Sequence, residues 1–537
     1  MITRDMTALR AVNGGHALLR AYDFIICGGG TAGCVVARRL AEGGKATVLL
    51  LEAGGSHHVP AIMDSTQWMW NIGTERDWDF VSEPSVGLNG RTPPMPMGRA
   101  LGGGSSINGQ VWARGHRNDF DSWASLTGDA SSSYERVLDI YRRIENWHGR
   151  PDPRRGVGGP VDITLPESPI PLVEALIASA DGQGIPSADD INTDPMEGDG
   201  GCGLPNVLVR NGVERVSMAT AYLDPVAPLP NLHVLVGAEV ERIGLRGSHV
   251  GSVVFRRFGQ RYEVEVIREA VLSLGAINTP KVLMLSGIGD PAELASHGIP
   301  CHHALRGVGE NFQDHILLGG CIWEYETPEL PRNNAAEFAF FCKSDASLPT
   351  PDLMPVLEEC PFASEVTARQ FDLPVGPASA WTLAPGLARP KSRGRVRLRG
   401  ADPALVPAIE TNFLSDPDDV RALIRGVEIC REIGNDLRLA GFRRREVMPG
   451  ALRGGDLEMF VRNASGTYFH QSCTARMGRP DDPLAVVDPM LRVLGIEGLR
   501  VADASIMPEI TSANIMAPVV VIAERAGDFI RQTHGLG

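Results

Sequence analysis

Residues 22–33 read YDFIICGGGTAG, an apolar strand that runs directly into the glycine pattern Gly28-x-Gly30-x-x-Gly33. In a strand–turn–helix unit of this kind, the first glycine permits a tight turn and the second lets the backbone approach a pyrophosphate. The third glycine allows close helix–strand packing, and the phosphates bind at the positive end of the helix. Glu52 ends the next apolar run, at the spacing of the acid that holds the ribose hydroxyls. The stretch therefore predicts a dinucleotide site and leaves the ligand open between NAD and FAD.

The composition indicates a large, acidic, globular protein. The chain has 537 residues, of which 43% are hydrophobic, and domains of about 150 residues each would give it several cores. A net charge of −14 and an aromatic content of 6% argue against nucleic acid and anionic membranes as partners. The nine cysteines are odd in number and lack CxxC spacing, so we expect reduced thiols, a cytoplasmic location and no zinc site. No apolar run reaches about 18 residues, which predicts no transmembrane segment.

The order of the predicted elements indicates an α/β protein with two domains. We expect a Rossmann-like nucleotide-binding domain in discontinuous segments, formed by residues 21–120, 226–315 and 466–537. Short alternating strands after residue 231 predict an antiparallel meander inside it. We expect an α+β substrate-binding domain with an antiparallel sheet, formed by residues 121–225 and 316–465. Residues 1–20 have no apolar core of a secretory signal, and we expect a flexible leader there.

Four further stretches carry long, constrained motifs. They are GRALGGGSSIN at 98–108, GAINTPKVLMLSGIG at 275–289, GVGENFQDH at 307–315, and the C-terminal block that begins with FHQSCTARMG at 469 and continues through 499–528. The first two resemble the two signatures of the glucose–methanol–choline (GMC) flavin oxidoreductases. The third is similar to the turn after the second signature, and the fourth resembles the family's catalytic and flavin-binding stretch. The resemblance extends in family order from about 21 to 533.

The resemblance implies that the dinucleotide is FAD and that an alcohol is oxidised by hydride transfer to flavin N5. Relatives with covalently attached FAD carry His at the position of Ile107, so we expect noncovalent FAD. Val240 is expected near the adenine, Asn108 against the isoalloxazine, and Asp503 at the ribityl or phosphate region. The complete set of residues expected to bind the cofactor is Gly28, Gly30, Thr31, Ala32, Gly33, Glu52, Ala53, Arg99, Gly103, Asn108, Val240, Asp503, Ala504 and Ile515.

The resemblance also assigns two catalytic residues. His470 occupies the position of the base that takes the hydroxyl proton, a role that suits a neutral imidazole. Asn514 stands where relatives carry His or Asn, and its amide would donate to the substrate oxygen, with a helix N-cap as a simultaneous role. Because position 514 carries Asn and not a second His, we expect a single titrating base in this pair of catalytic residues. We expect no metal site and purely structural roles for the other histidines considered, which are His57, His58, His302, His303 and His315.

Within the family, the sequence is most similar to compact bacterial members that oxidise hydroxymethylfurfural, pyridoxine or choline. This similarity implies a primary aromatic or heteroaromatic alcohol as substrate and O2 or another electron acceptor, with an oxidase favoured over a dehydrogenase. The alternatives are a hydroxynitrile lyase, in which FAD is structural, and a choline-type aliphatic alcohol dehydrogenase. The segment that shapes the substrate pocket, about 316–465, carries no motif. The exact alcohol, the acceptor and the choice between monomer and homodimer therefore stay open.

Overall fold

The computed structural model describes residues 2–4, 6 and 9–536. Its largest sheet contains the strand that leads into the glycine loop. The strand order is Leu232–Val236, Val48–Glu52, Ala21–Cys27, Gln260–Leu272, His249–Arg257 and Glu239–Arg246, and both Leu499–Val501 and Ile2–Thr3 also pair with Gln260–Leu272. The pairs around the glycine loop are parallel, whereas the last three strands form an antiparallel meander. This arrangement confirms the predicted Rossmann-like α/β fold.

The turn from the strand Ala21–Cys27 into the helix Thr31–Ala41 explains why glycine is needed there. Gly28 has a φ of +99°, which L side chains rarely adopt. A Cβ on Gly33 would lie 1.8 Å from the carbonyl oxygen of Gly28, so the helix can pack this closely only without a side chain. The glycine pattern therefore sets the angle at which the helix leaves the sheet.

The second sheet is antiparallel and has six strands. Their order is Arg443–Met448, Ile322–Tyr325, Ala380–Ala384, Val356–Glu358, Ala339–Phe341 and Gly201–Gly203. One face packs into a second hydrophobic core, in which Trp323 and Trp381 stack with ring centroids 4.5 Å apart. This sheet confirms the expected antiparallel sheet of the substrate side. A separate sheet has three strands, which are Gly386–Leu387, Ile316–Leu318 and Ser465–Thr467. Its last strand leads directly to His470.

Helices cover both cores, and short ladders complete the fold. The helices of eleven or more residues are Thr31–Ala41, Arg117–Thr127, Tyr134–Ile144, Pro171–Gly182, Gly275–Leu285, Pro417–Gly434, Gly454–Ala464 and Met516–His534. The two-stranded pairs are Phe80–Val81 with Pro94–Met95, Glu145–Trp147 with Val161–Ile163, Val209–Arg210 with Glu214–Arg215, Ile288–Gly289 with His303–Ala304, and Arg395–Arg397 with Ala408–Glu410. Within the described residues, no helix combines the length and the apolar character needed to cross a bilayer.

The segment 121–225 differs from its expected place in the substrate domain. The amphipathic helix Tyr134–Ile144 buries Val137, Leu138 and Tyr141 in the core of the first sheet. The later helix Pro171–Gly182 contributes instead to the core of the second sheet. The segment is therefore divided between the two cores, because the apolar faces of its two helices point to different sheets.

The expected leader at 1–20 also differs from the structure in its described residues. Leu9, Ala11 and Leu18 are buried in the first core. The Asn13 amide donates to the carbonyl oxygens of Ala227 and Leu232, at 2.9 and 2.7 Å. These apolar side chains and paired amides dock the segment along the edge strand Leu232–Val236. Residues 1, 5, 7 and 8 of the expected leader lie outside the described residues.

Candidate active site

A cavity of about 310 Å³ extends from the glycine loop to His470. All of the residues expected to bind the cofactor line it except Gly33 and Arg99, and both expected catalytic residues line it as well. Gly33 packs behind the loop, as its tight contact with Gly28 requires. The Arg99 guanidinium lies 5.1 Å from the ring centroid of Trp78. Trp78 itself lines the cavity, and the expected contact of Arg99 with the cofactor stays a prediction.

Two buried carboxylates fix the turns at the cofactor end. Glu52 accepts hydrogen bonds from the backbone amides of Gly29 and Gly54, at 2.9 and 2.7 Å. Burial raises the pKa of Glu52 to about 7, against the opposing effect of these bonds and of Arg99. Asp503 accepts from the amide of Gly275 at 2.9 Å and from the Thr279 hydroxyl at 2.6 Å. The two acids thus hold the backbone of three glycine-containing turns in place.

The middle of the cavity is formed by two turns in backbone contact. A Cβ on Gly103, which has a φ of +53°, would lie 2.7 Å from the Cα of Gly30. The buried Arg215 guanidinium donates to Oδ1 and to the carbonyl oxygen of Asn108, at 3.0 and 2.8 Å, and so fixes its side chain. A long cavity with a glycine-lined floor at one end suits the pyrophosphate of a dinucleotide. The residues present therefore fit FAD.

The hydrogen bonds around His470 determine which of its nitrogens can act as a base. His315 Nε2 lies 2.7 Å from the carbonyl oxygen of Thr511, which can only accept, so His315 carries its hydrogen on Nε2. Burial lowers the pKa of His315 to about 3, which keeps the ring neutral and leaves Nδ1 as an acceptor. His470 Nδ1 lies 2.9 Å from that atom and must donate to it. The Nε2 atom of His470 consequently carries no hydrogen and is the ring nitrogen that can act as a base.

The remaining contacts hold the His470 ring at the cavity. Asn514 Nδ2 lies 3.3 Å from Nε2 of His470, and the Tyr468 ring stacks on the imidazole with centroids 4.9 Å apart. The backbone amide of His470 donates to the Asp314 carboxylate at 2.9 Å. Burial first, and then the neighbouring His315, lower the pKa of His470 well below its usual range. A neutral His470 next to an amide donor is therefore the stable state at neutral pH.

Sequence reasoning missed the role of His315, which was expected to be structural only. It contacts His470 directly, and its position in the 307–315 motif was the one available signal. The expected N-cap role of Asn514 is also wrong, because the cap of the helix Met516–His534 is Ile515 and has no side-chain hydrogen bond. The expectation of a single titrating base stays a prediction, since the second imidazole has a pKa of about 3.

Outside the cavity, His57 and His58 both lie close to one carboxylate, which their adjacent positions in the sequence did not predict. His57 Nε2 and His58 Nε2 lie 3.0 and 3.3 Å from the two carboxylate oxygens of Asp224. The three side chains are close enough to hold an ion. Hydrogen bonds to one carboxylate also account for this geometry, and the expected absence of a metal site stays a prediction.

Comparison with known proteins decides the family. Residues 22–317 match the N-terminal model described as GMC oxidoreductase, and residues 390–523 match the C-terminal one. The chain belongs to the GMC oxidoreductase family. Members of this family bind FAD and act on CH–OH donors with an electron acceptor, and both oxidases and dehydrogenases occur among the relatives.

Individual GMC relatives cover almost the whole chain. Oxygen-dependent choline dehydrogenase of Rhizobium johnstonii is 34% identical over 95% of both chains. The crystal structure of pyridoxine 4-oxidase from Mesorbium loti is 33% identical, with a TM-score of 0.89 over 96% of this chain and 99% of that one. A formate oxidase structure from Aspergillus oryzae is 26% identical, with a TM-score of 0.87 over 96% of this chain and 100% of that one. The match to these relatives over nearly all of their length identifies the chain as an alcohol oxidoreductase of this family.

Proposed function

We propose that this GMC oxidoreductase oxidises a primary aromatic or heteroaromatic alcohol to the aldehyde, with His470 as the base and noncovalent FAD as the cofactor. The observation that carries the proposal is the unprotonated Nε2 of His470 beside the Asn514 amide, at the end of the cavity away from the glycine loop. When bound, FAD supplies the acceptor for the hydride of the alcohol carbon. Ile107 offers no nucleophile for a covalent link, which favours noncovalent binding.

The chain's own residues divide the proton chemistry between them. Nε2 of His470 accepts the hydroxyl proton, while Nδ2 of Asn514 donates to the oxygen as it becomes negative. The hydrogen bond from Nδ1 of His470 to His315 keeps the ring in one orientation and one tautomer throughout this transfer. The low pKa of His470 leaves it unprotonated before the alcohol binds. A general base of this kind typically contributes about 10²–10⁴-fold to the rate.

The walls of the substrate end favour an aromatic ring. Trp68, Phe341 and Tyr468 line this part of the cavity together with Met354 and Val356. Aromatic and thioether side chains bind flat rings through stacking and edge contacts. The likeness to a pyridoxine 4-oxidase agrees with a heteroaromatic substrate. The second candidate is a choline-type aliphatic alcohol, which is supported by the 34% identity to choline dehydrogenases over 95% of the chain.

The test is an anaerobic titration of the flavin-containing protein with benzyl alcohol, pyridoxine and choline. We expect an aromatic alcohol to bleach the visible flavin absorbance and air to restore it, as an oxidase requires. Bleaching only by choline would favour the second candidate, and slow recovery in air would indicate a dehydrogenase. The absence of bleaching with any alcohol, together with cleavage of mandelonitrile, would support a hydroxynitrile lyase instead. A protein that gains no flavin when FAD is added would contradict the proposal entirely.

A further inference from the structure

Glu358 places a carboxyl group in the cavity from the substrate side. It ends the strand Val356–Glu358, in which successive side chains alternate between the two faces of the sheet. Leu357 points into the second core, whereas Val356 and Glu358 both line the cavity. The other acids that line the cavity are Glu52, Glu239 and Asp503, all from segments of the nucleotide-binding domain. Glu358 is therefore the acid of the substrate end.

Within the part of the chain that the structure describes, the Glu358 carboxyl group has no hydrogen-bond donor or cation as a partner. Its cross-strand neighbour is Thr382, whose hydroxyl instead donates to the Cys360 carbonyl oxygen and accepts from the Phe362 amide, both at 3.0 Å. Among the described residues, Lys281 is the one Lys or Arg that lines the cavity, and the charge that acts on it most strongly is Glu239. Burial alone raises the pKa of Glu358 to about 8.

The surroundings of Glu358 are largely apolar. Val356 belongs to an apolar cluster with Leu317, Ala336 and Ala384, and the Tyr468 ring packs against that cluster. A polar group taken out of water into such surroundings is normally paired. Glu358 keeps part of its surface exposed where it lines the cavity, and an acid that lacks protein partners at a cavity wall is a candidate for ligand contacts. The partner of Glu358 is thus most simply a group on the substrate.

We propose that Glu358 binds a positively charged nitrogen of the substrate, so that the alcohol oxidised at His470 is a cationic one. This inference rests on the proposed function. The ring walls of the same cavity, Trp68, Phe341 and Tyr468, support it, because aromatic faces attract ammonium and pyridinium groups. The cation neutralises the carboxylate at one end of the substrate while the hydroxyl reaches His470 at the other. Uncharged aryl alcohols fill the same space without this contact.

The experiment compares two alcohols of nearly equal shape, N-methyl-3-(hydroxymethyl)pyridinium and 3-methylbenzyl alcohol. Anaerobic stopped-flow gives the rate constant of flavin reduction divided by the dissociation constant for each alcohol. In the wild type we expect a preference for the cation. Glu358→Gln, which keeps the shape and removes the charge, should lower this ratio about 10- to 100-fold for the cation and leave the neutral alcohol essentially unchanged. An equal effect on both alcohols, or none on the cation, would overturn the proposal.

Two further variants separate the local contact from other effects. Glu358→Asp keeps the charge and should retain part of the preference for the cation. Glu326→Gln removes the same charge from an exposed position just beyond the strand Ile322–Tyr325 and should leave the preference intact. A loss of preference in Glu326→Gln would show that overall charge, rather than Glu358, attracts the cation.

A binding measurement keeps this proposal distinct from the proposed function. If neither alcohol reduces the wild-type flavin, the proposed function fails. Calorimetry with 1,3-dimethylpyridinium, which has no hydroxyl, then tests Glu358 alone. We expect at least about tenfold weaker binding to Glu358→Gln than to the wild type. Equal binding to both proteins would overturn the role of Glu358 whatever the reaction is.

Discussion

The two ends of the cavity are built from different parts of the polypeptide. At the cofactor end, backbone groups form the surface, and Gly28, Gly33 and Gly103 are required by contacts or backbone angles that exclude a side chain. At the substrate end, side chains form the surface, and they come from segments as far apart in sequence as Trp68, Phe341 and His470. A backbone cradle restricts the residue type at fixed spacing, whereas a side-chain wall permits many sequences. Substitutions at the cofactor end should therefore release FAD, whereas substitutions at the substrate end should lower the rate of catalysis.

Apart from replacement of His470 itself, the largest effect among the side-chain tests is expected for Asn514→Leu, which has a similar size but no amide donor. Loss of a donor to a developing oxyanion typically costs about 10²–10³-fold in rate. We expect anaerobic flavin reduction to slow by that factor while the bound FAD, measured from its absorbance, stays unchanged. Asn514→His restores a donor and should recover part of the rate. Loss of FAD from Asn514→Leu would place this residue at the cofactor end instead.

The backbone cradle is tested by Gly33→Ala. The new Cβ would lie 1.8 Å from the Gly28 carbonyl oxygen, so the helix and the loop must separate. We expect the free energy of unfolding to fall by about 1–3 kcal/mol, with release of FAD on gel filtration. Gly55→Ala is the matched control, because no atom lies within 4 Å of a Cβ at that position. Equal FAD retention by both variants would contradict the claim that the glycine backbone at Gly33 is needed to hold FAD.

A smaller effect, of about tenfold on flavin reduction, is expected for His315→Gln, since it removes a positioning contact worth about one hydrogen bond to a charged group. The pH profile is the sharper measurement. Flavin reduction requires neutral His470. The rate should therefore fall only when the pH drops below the lowered pKa of His470. His315 contributes to this lowering, and its removal should move the acid limb to higher pH. An unchanged pH limb would mean that His315 has a purely structural role.

The same contrast explains how much of the molecule could be predicted from its sequence. The glycine loop, the meander and the fold class were predictable, because turns and alternating strands leave local patterns. His470 and Asn514 were predicted from a family motif, and they meet in the structure. The role of His315 depends on contact with a residue 155 positions away, and the 307–315 motif marks His315 without indicating that partner. Glu358 lies in a segment without motifs, and only the sheet brings it to the cavity.

The central claim is that the two ends have separate tasks, cofactor binding at one and proton transfer at the other. The most direct test measures FAD affinity and anaerobic reduction by the best alcohol in the same preparation of His470→Ala, with the exposed His302→Ala as control. We predict unchanged FAD affinity and reduction slowed by about 10²–10⁴-fold for His470→Ala, and wild-type values for His302→Ala. An unchanged reduction rate in His470→Ala, or loss of FAD in proportion to the loss of rate, would contradict this account.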